Sequence, residues 1–320
     1  VLMTPLFAAL KRVAGGELAV VVEKHYEPIL RGNSDVDRIF VVEHRPNKLI
    51  GRLRLIRQLR RFQPNLAINL HGGTTSALLT ALSGAKKRVG YLHSRNSYLY
   101  NIKVPDSRKI WQKDSVHTVE HQLATLKYLG FPVEPIPPLK ICLDPQDVQF
   151  VHDLLGRAGI GKKFILIHPA AAFDTKQWDA HKFAALANRL VAEDRQVVVT
   201  AGPGQESLLV SIGKDTSSDV HVVDPMPVNR FSALVSLSDL YVGNDTGSTH
   251  IAAALGKRIV VIFGSSDSKV WHPWIVEHRL IKSDLPCIPC PGYFCLHFEE
   301  PRCIRSIEIE PVFETVQSML

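Results

Sequence analysis

Residues 240–264 carry two apolar runs around a short Ala-rich segment, and few folds accommodate that pattern. Leu240-Tyr241-Val242-Gly243 fits a buried strand, residues 250–255 have the length of a short helix, and Ile259-Val260-Val261-Ile262-Phe263 is a second strand. The run reads as strand end, turn, helix and new strand, an order that belongs to an open α/β sheet. Asp245-Thr246-Gly247-Ser248 therefore falls at a strand's carboxyl end and a helix's start, the edge where such sheets bind ligands.

That turn is suited to an anion. Thr246 and Ser248 offer hydroxyls, Gly247 lets a ligand approach the backbone, and the free amides of a first helical turn hold a phosphate or pyrophosphate. His250 falls one turn in, facing the same mouth. The same residues admit a plainer reading, in which Asp245 and Thr246 cap the helix and His250 packs in the core.

Alternation of strands and helices runs along the whole chain. The first half gives helix 1–13, strand 18–22, helix 24–30, strand 39–42, helix 48–62, strand 66–70, helix 74–82, strand 88–90 and helix 117–129. A Pro-rich stretch at 132–138 follows, and Gly156, Gly159 and Gly161 interrupt the pattern. The second half gives strand 164–168, helix 179–193, strand 196–201, helix 205–212, strand 220–223 and helix 228–236 before the run at 240. Such alternation makes parallel sheets covered by helices. A chain of 320 residues exceeds what one core supports, so two domains are predicted, 1–158 and 159–320.

Composition is that of a globular protein, 45% hydrophobic and 22% charged. With no unbroken apolar run near membrane-spanning length and no signal peptide, the reading is a cytoplasmic protein. Charge is unevenly placed: residues 1–160 hold 23 Lys and Arg against 13 Asp and Glu, while residues 161–320 hold 15 against 18. Much of the excess lies in Arg45, Lys48, Arg52, Arg54, Arg57, Arg60 and Arg61, interleaved at helical spacing with Leu49, Leu53, Ile56 and Leu59. This basic amphipathic helix is either a core-packed helix with a solvated face or an attractor for an anionic surface or acceptor. Nucleic acid is not indicated, because no aromatic-studded basic strand accompanies the charge. Cys287, Cys290, Cys295 and Cys303, with His297 as a substitute, have spacing compatible with zinc or with reduced thiols. Asp35-Val36-Asp37 precedes a strand and reads as a turn.

The whole 240–264 run resembles the signature of glycosyltransferase family 9, which includes the ADP-heptose:lipopolysaccharide heptosyltransferases. Further matches follow in order: Pro5-Leu6-Phe7-Ala8-Ala9-Leu10-Lys11, Leu82-Ser83-Gly84-Ala85-Lys86-Lys87-Arg88-Val89-Gly90-Tyr91, Lys176-Gln177-Trp178 and Phe263-Gly264-Ser265-Ser266-Asp267. The resemblance implies the GT-B fold, two doubly wound Rossmann-like domains facing across a cleft. It implies an N-terminal acceptor-binding domain and a C-terminal domain for the nucleotide-sugar donor. By the same resemblance Lys176 meets the donor phosphates, Thr246 and Gly247 give them amides, and Asp245 binds donor hydroxyls. Glu206, after Gly202-Pro203-Gly204-Gln205, accepts from the ribose, and Met226 packs near the base. His71 and Gly72, ending strand 66–70, lie on the acceptor side, where His71 either touches acceptor or caps the next helix.

The implied reaction is inverting transfer of heptose from ADP-heptose to the lipopolysaccharide inner core at the membrane surface, without cofactor or metal. Two alternatives stay open, a nucleotide-sugar epimerase of the same fold and a non-catalytic nucleotide-sugar-binding fragment. In the family a first strand and a Gly-Asp turn precede the first helix, and that aspartate is the general base. The sequence begins at helix 1–13, so the reading is of a fragment whose base lies upstream of Val1, with a gap between strands 18–22 and 66–70.

Overall fold

A computed structural model describes residues 1–42, 48–290 and 293–320, with the backbone alone at Lys48 and Leu49. Arg45 of the basic cluster lies outside the described residues. The chain forms two units, Leu2–Pro137 and Pro138–Leu320.

Short β-branched runs give the first unit two parallel sheets. Strands β1 (Ala19–Glu23) and β2 (Arg38–Val42) make one, and β3 (Leu66–Asn69), β4 (Lys87–Tyr91) and β5 (Ile102–Val104) make the other. No ladder joins the two sheets among the described residues, so the break predicted between strands 18–22 and 66–70 is present. The helices are α1 (Thr4–Ala14), α2 (Lys48–Phe62), α3 (Thr74–Leu82), α4 (Ser107–Trp111) and α5 (Thr118–Tyr128). Helix α1 starts three residues later than predicted, with Pro5 in its opening turn, where a residue lacking an amide hydrogen costs nothing. Residues 24–30 form a 3-10 helix instead of an α-helix, because Pro28 removes a donor from its interior. Strand β5 and helix α4, of three and five residues, are too short to show a period.

The second unit contains α6 (Pro145–Arg157), β6 (Ile165–His168), α7 (Ala180–Ala192), β7 (Val197–Val199), α8 (Glu206–Asp215), β8 (Val220–Val222) and α9 (Val228–Leu237). It continues with β9 (Leu240–Asn244), α10 (Gly247–Ala254), β10 (Arg258–Phe263), α11 (Ser268–Trp271), β11 (His278–Lys282), α12 (Arg302–Arg305) and α13 (Ile309–Ser318). Its strands form one parallel sheet in the order β11-β10-β9-β6-β7-β8. Every residue of β6, β7 and β9 is buried, as strands covered by helices on both faces must be.

The division falls at Pro137–Pro138, earlier than the boundary predicted at 158. Helix α6 belongs to the second unit: Asn229 on α9 donates to Asp147 at 2.7 Å, and Arg230 lies over the Phe150 ring at 3.7 Å. Of the glycines that interrupt the pattern, Gly156 lies within that helix and Gly159 ends it, taking the left-handed conformation (φ +70°) just past its last turn.

Candidate functional site

In the six-stranded sheet the chain builds β6, β7 and β8 outward on one side, then returns to lay β9, β10 and β11 on the other. The order reverses between β6 and β9, which pair in parallel from Ile165–Leu240 to His168–Gly243. Loops leaving two such strands diverge, one to each face of the sheet, and open a crevice at their carboxyl ends. The Lys176 turn follows β6, and the Asp245 turn follows β9. Lys176 and Asp245, two of the residues predicted from sequence, therefore meet at the sheet's topological switch point.

Asp245 is only 3% exposed, and its carboxylate accepts from Lys176 Nζ at 2.9 Å. The pair spans the switch point and leaves Lys176 partly open to solvent. Helix α10 begins at Gly247, three residues earlier than the helix predicted from His250. Thr246 occupies its N-cap but makes no side-chain cap bond, so the first-turn amides are not consumed by it. Gly247 is exposed, and a Cβ built on it meets nothing within 4 Å. A partly exposed ammonium, helix amides left uncapped by Thr246 and an approachable glycine on one edge can hold a phosphate chain.

The hydroxyls read from sequence as ligand contacts turn inward. Ser248 Oγ accepts from Tyr241 Oη at 2.8 Å and lies 2.6 Å from Thr246 Oγ1 and 3.2 Å from His168 Nδ1. Asn244 fastens the strand end below, donating to the Pro169 carbonyl at 2.7 Å and accepting from the Trp178 amide at 3.2 Å. Thr249 donates to the Asn244 carbonyl at 2.6 Å. Sequence reasoning missed His168, Tyr241 and Asn244. Their signal lies only in being polar within apolar strands, where a buried polar group must have a partner.

Burial of His168 lowers its pKa from 6.5 to about 4. The folded imidazole stays neutral while the unfolded one protonates, so stability is unaffected above pH 6.5 and falls as pH drops from there toward about 4. The full loss is about 3 kcal/mol at 1.36 kcal/mol per pH unit. Urea titrations across this range are expected to show that decline and to lose most of it in His168→Asn. An equal decline in the variant would contradict the assignment.

The other residues predicted from sequence for the donor lie on the same carboxyl edge of the sheet. Glu206 opens α8 after β7, exposed, with its carboxylate accepting from the Gly204 amide at 3.0 Å. Its own amide and that of Gly204 hold its pKa below the ordinary value. Met226 follows β8 and is buried at 6% exposure. His250 is buried within the first turn of α10, its ring centroid 6.4 Å from that of Trp271. Gly264 follows β10 against the Lys176 turn: Ser265 donates its amide to the Thr175 carbonyl at 3.1 Å and its hydroxyl to Thr175 Oγ1 at 3.0 Å.

In the first unit His71 and Gly72 occupy a turn after β3. Asn69 Oδ1 accepts from both amides, at 3.0 and 3.3 Å, and Asn69 Nδ2 donates to the Tyr100 hydroxyl at 2.7 Å. His71 does not cap α3, whose N-cap is Gly73. The Asp35-Val36-Asp37 segment is a turn whose Asp37 carboxylate accepts from Lys11 and from the Leu18 amide, both at 2.6 Å. All five cysteines are free thiols, and no three His, Cys, Asp or Glu groups converge on a metal position among the described residues.

A family model for glycosyltransferase family 9 (heptosyltransferase) matches residues 52–297. The chain belongs to glycosyltransferase family 9. Lipopolysaccharide heptosyltransferase 3 of Escherichia coli is 25% identical over 292 residues, covering 85% of this chain and 82% of that protein. Lipooligosaccharide heptosyltransferase 2 of Campylobacter jejuni is 28% identical over 211 residues, covering 63% and 64% respectively. Among solved structures, E. coli ADP-heptose lipopolysaccharide heptosyltransferase II superposes with a TM-score of 0.80 at 18% identity, covering 99% of this chain and 94% of that one. A family 9 glycosyltransferase from Veillonella parvula gives a TM-score of 0.84 at 16% identity, covering 99% and 92%.

These likenesses give the fold as GT-B, two Rossmann-like α/β units. Family 9 membership makes the chain a glycosyltransferase. No described helix is long and apolar enough to cross a membrane.

Proposed function

We propose that this family 9 glycosyltransferase moves a heptose from ADP-heptose to an inner-core sugar of lipopolysaccharide, with inversion at the anomeric carbon. The observation that carries the reading is the Lys176–Asp245 pair beside the first turn of α10 at the switch point. A single displacement requires a base for the acceptor hydroxyl and positive charge for the departing diphosphate. The second unit supplies the charge. Lys176 and the amides of Thr246 and Gly247 hold the diphosphate, Asp245 accepts from donor hydroxyls, Glu206 accepts from the ribose, Met226 packs near the base, and His250 stays beside the Asp245 turn. The unit Pro138–Leu320 is thus the donor unit, and Leu2–Pro137, with His71 and Gly72, takes an acceptor anchored at the cytoplasmic membrane face.

Calorimetry with ADP-heptose, ADP-glucose and UDP-sugars tests the reading. ADP-heptose is expected to bind tightest and UDP-sugars about tenfold more weakly, since Met226 meets the base while Glu206 and Lys176 meet the ribose and phosphates that both nucleotides share. Preference for a UDP-sugar would overturn the donor assignment.

A further inference from the structure

Helix α2 has two faces. Leu55 and Leu59 are buried and cluster with Val42 and Leu79, while Arg52 donates to Thr75 at 3.0 Å and Arg60 to the Leu82 carbonyl at 3.0 Å. These contacts fix which side of the helix is inward. The opposite stripe is Ile50, Leu53, Arg54, Arg57, Gln58 and Arg61, at helical spacing. Ile50 and Leu53 are 61% and 59% exposed. Arg54, Arg57 and Arg61 are exposed and pair with no acid among the described residues.

Between Glu43 and Asp106 the sequence holds twelve lysines and arginines and no acid. A helix kept merely soluble would intersperse both signs and shield its aliphatic residues. Here two exposed aliphatic side chains stand among guanidinium groups that pair with no acid among the described residues, the composition of a helix lying in a membrane interface. A phosphorylated sugar would neutralise the arginines but would give Ile50 and Leu53 nothing apolar to enter. Single-stranded nucleic acid would need stacking aromatics, and the outward stripe has none.

We infer that the outer stripe of α2 docks on an anionic phospholipid bilayer, its arginines on headgroup phosphates and Ile50 and Leu53 in the acyl boundary. The inference goes beyond the transfer reaction and does not rest on it, because lipopolysaccharide-free vesicles test the helix and nucleotide calorimetry tests the donor site.

Co-sedimentation with phosphatidylglycerol-containing vesicles is expected to show binding that is lost on pure phosphatidylcholine and in molar salt, where the screening length shrinks to about 3 Å. Each arginine removed lowers the partition coefficient about fivefold, so Arg54→Gln/Arg57→Gln/Arg61→Gln together lower it roughly a hundredfold. Lysine at the same three positions keeps binding within a few-fold. Ile50→Asn/Leu53→Asn lowers it about tenfold or more while preserving the salt dependence. Because all five positions are exposed, unchanged urea midpoints verify that each variant is folded. Equal binding to neutral vesicles, retention in the arginine-free variant, or binding only when lipopolysaccharide is present would each overturn the proposal.

Discussion

Lys176→Met is expected to destabilise the fold by about 2 to 3 kcal/mol and to weaken ADP binding by ten- to a hundredfold. The stability loss arises because Asp245, at 3% exposure, is left as a buried carboxylate without its cation. Removing one partner of a fully buried pair costs about 3 to 5 kcal/mol, and the partial exposure of Lys176 reduces that. The affinity loss is that of a charge-assisted contact to phosphate, about 1.5 to 3 kcal/mol. Adding Asp245→Asn removes the stranded charge, so the double variant should regain most of the stability but not the ADP affinity. Urea denaturation and calorimetry on the two variants separate the effects. Recovery of ADP binding in the double variant would show that Lys176 serves only Asp245.

Gly264→Ala should cost about 3 kcal/mol or more, as overpacking against backbone does. Its Cβ would stand 2.0 Å from the Thr175 carbonyl oxygen and 3.1 Å from Ile304 Cβ. The carbonyl cannot retreat without breaking its bond from the Ser265 amide, and Thr175 directly precedes Lys176. ADP affinity is therefore expected to fall together with stability. Gly247→Ala is the control: a Cβ there meets nothing within 4 Å, so the fold should keep its stability while a ligand approaching that backbone is repelled. If Gly264→Ala melts like the parent protein, the close packing of β10 on the Lys176 turn is refuted.

Much of the architecture was legible because its signals are local. The basic helix Lys48–Phe62 and helix Thr74–Leu82 have the bounds read from periodicity, since their apolar residues recur at helical spacing over two turns or more. Helix α6 was missed for the opposite reason: its glycines at 156 and 159 look like a linker until α9 is seen packed along it. The elements after residue 264 also went unread, because β11, α11 and α12 are short and α13 follows a segment rich in Pro and Cys.

The candidate site divides in the same way. Asp245 and Gly247 could be named from the sequence because turn chemistry and family resemblance both mark them, and Lys176 and Glu206 because the resemblance alone does. The inward turn of Thr246 and Ser248 could not, since a hydroxyl reads alike whether it faces ligand or His168.

By itself the sequence determined an alternating α/β chain, a polar turn between a strand end and a helix start, and an uneven charge, all properties of residues near one another in the chain. The tertiary structure alone decided that Lys176 reaches across 69 residues to Asp245, that His168 is held neutral beneath the turn, and which face of α2 is bare. Those facts depend on strand order and packing, and strand order is fixed by contacts between segments that no local pattern records.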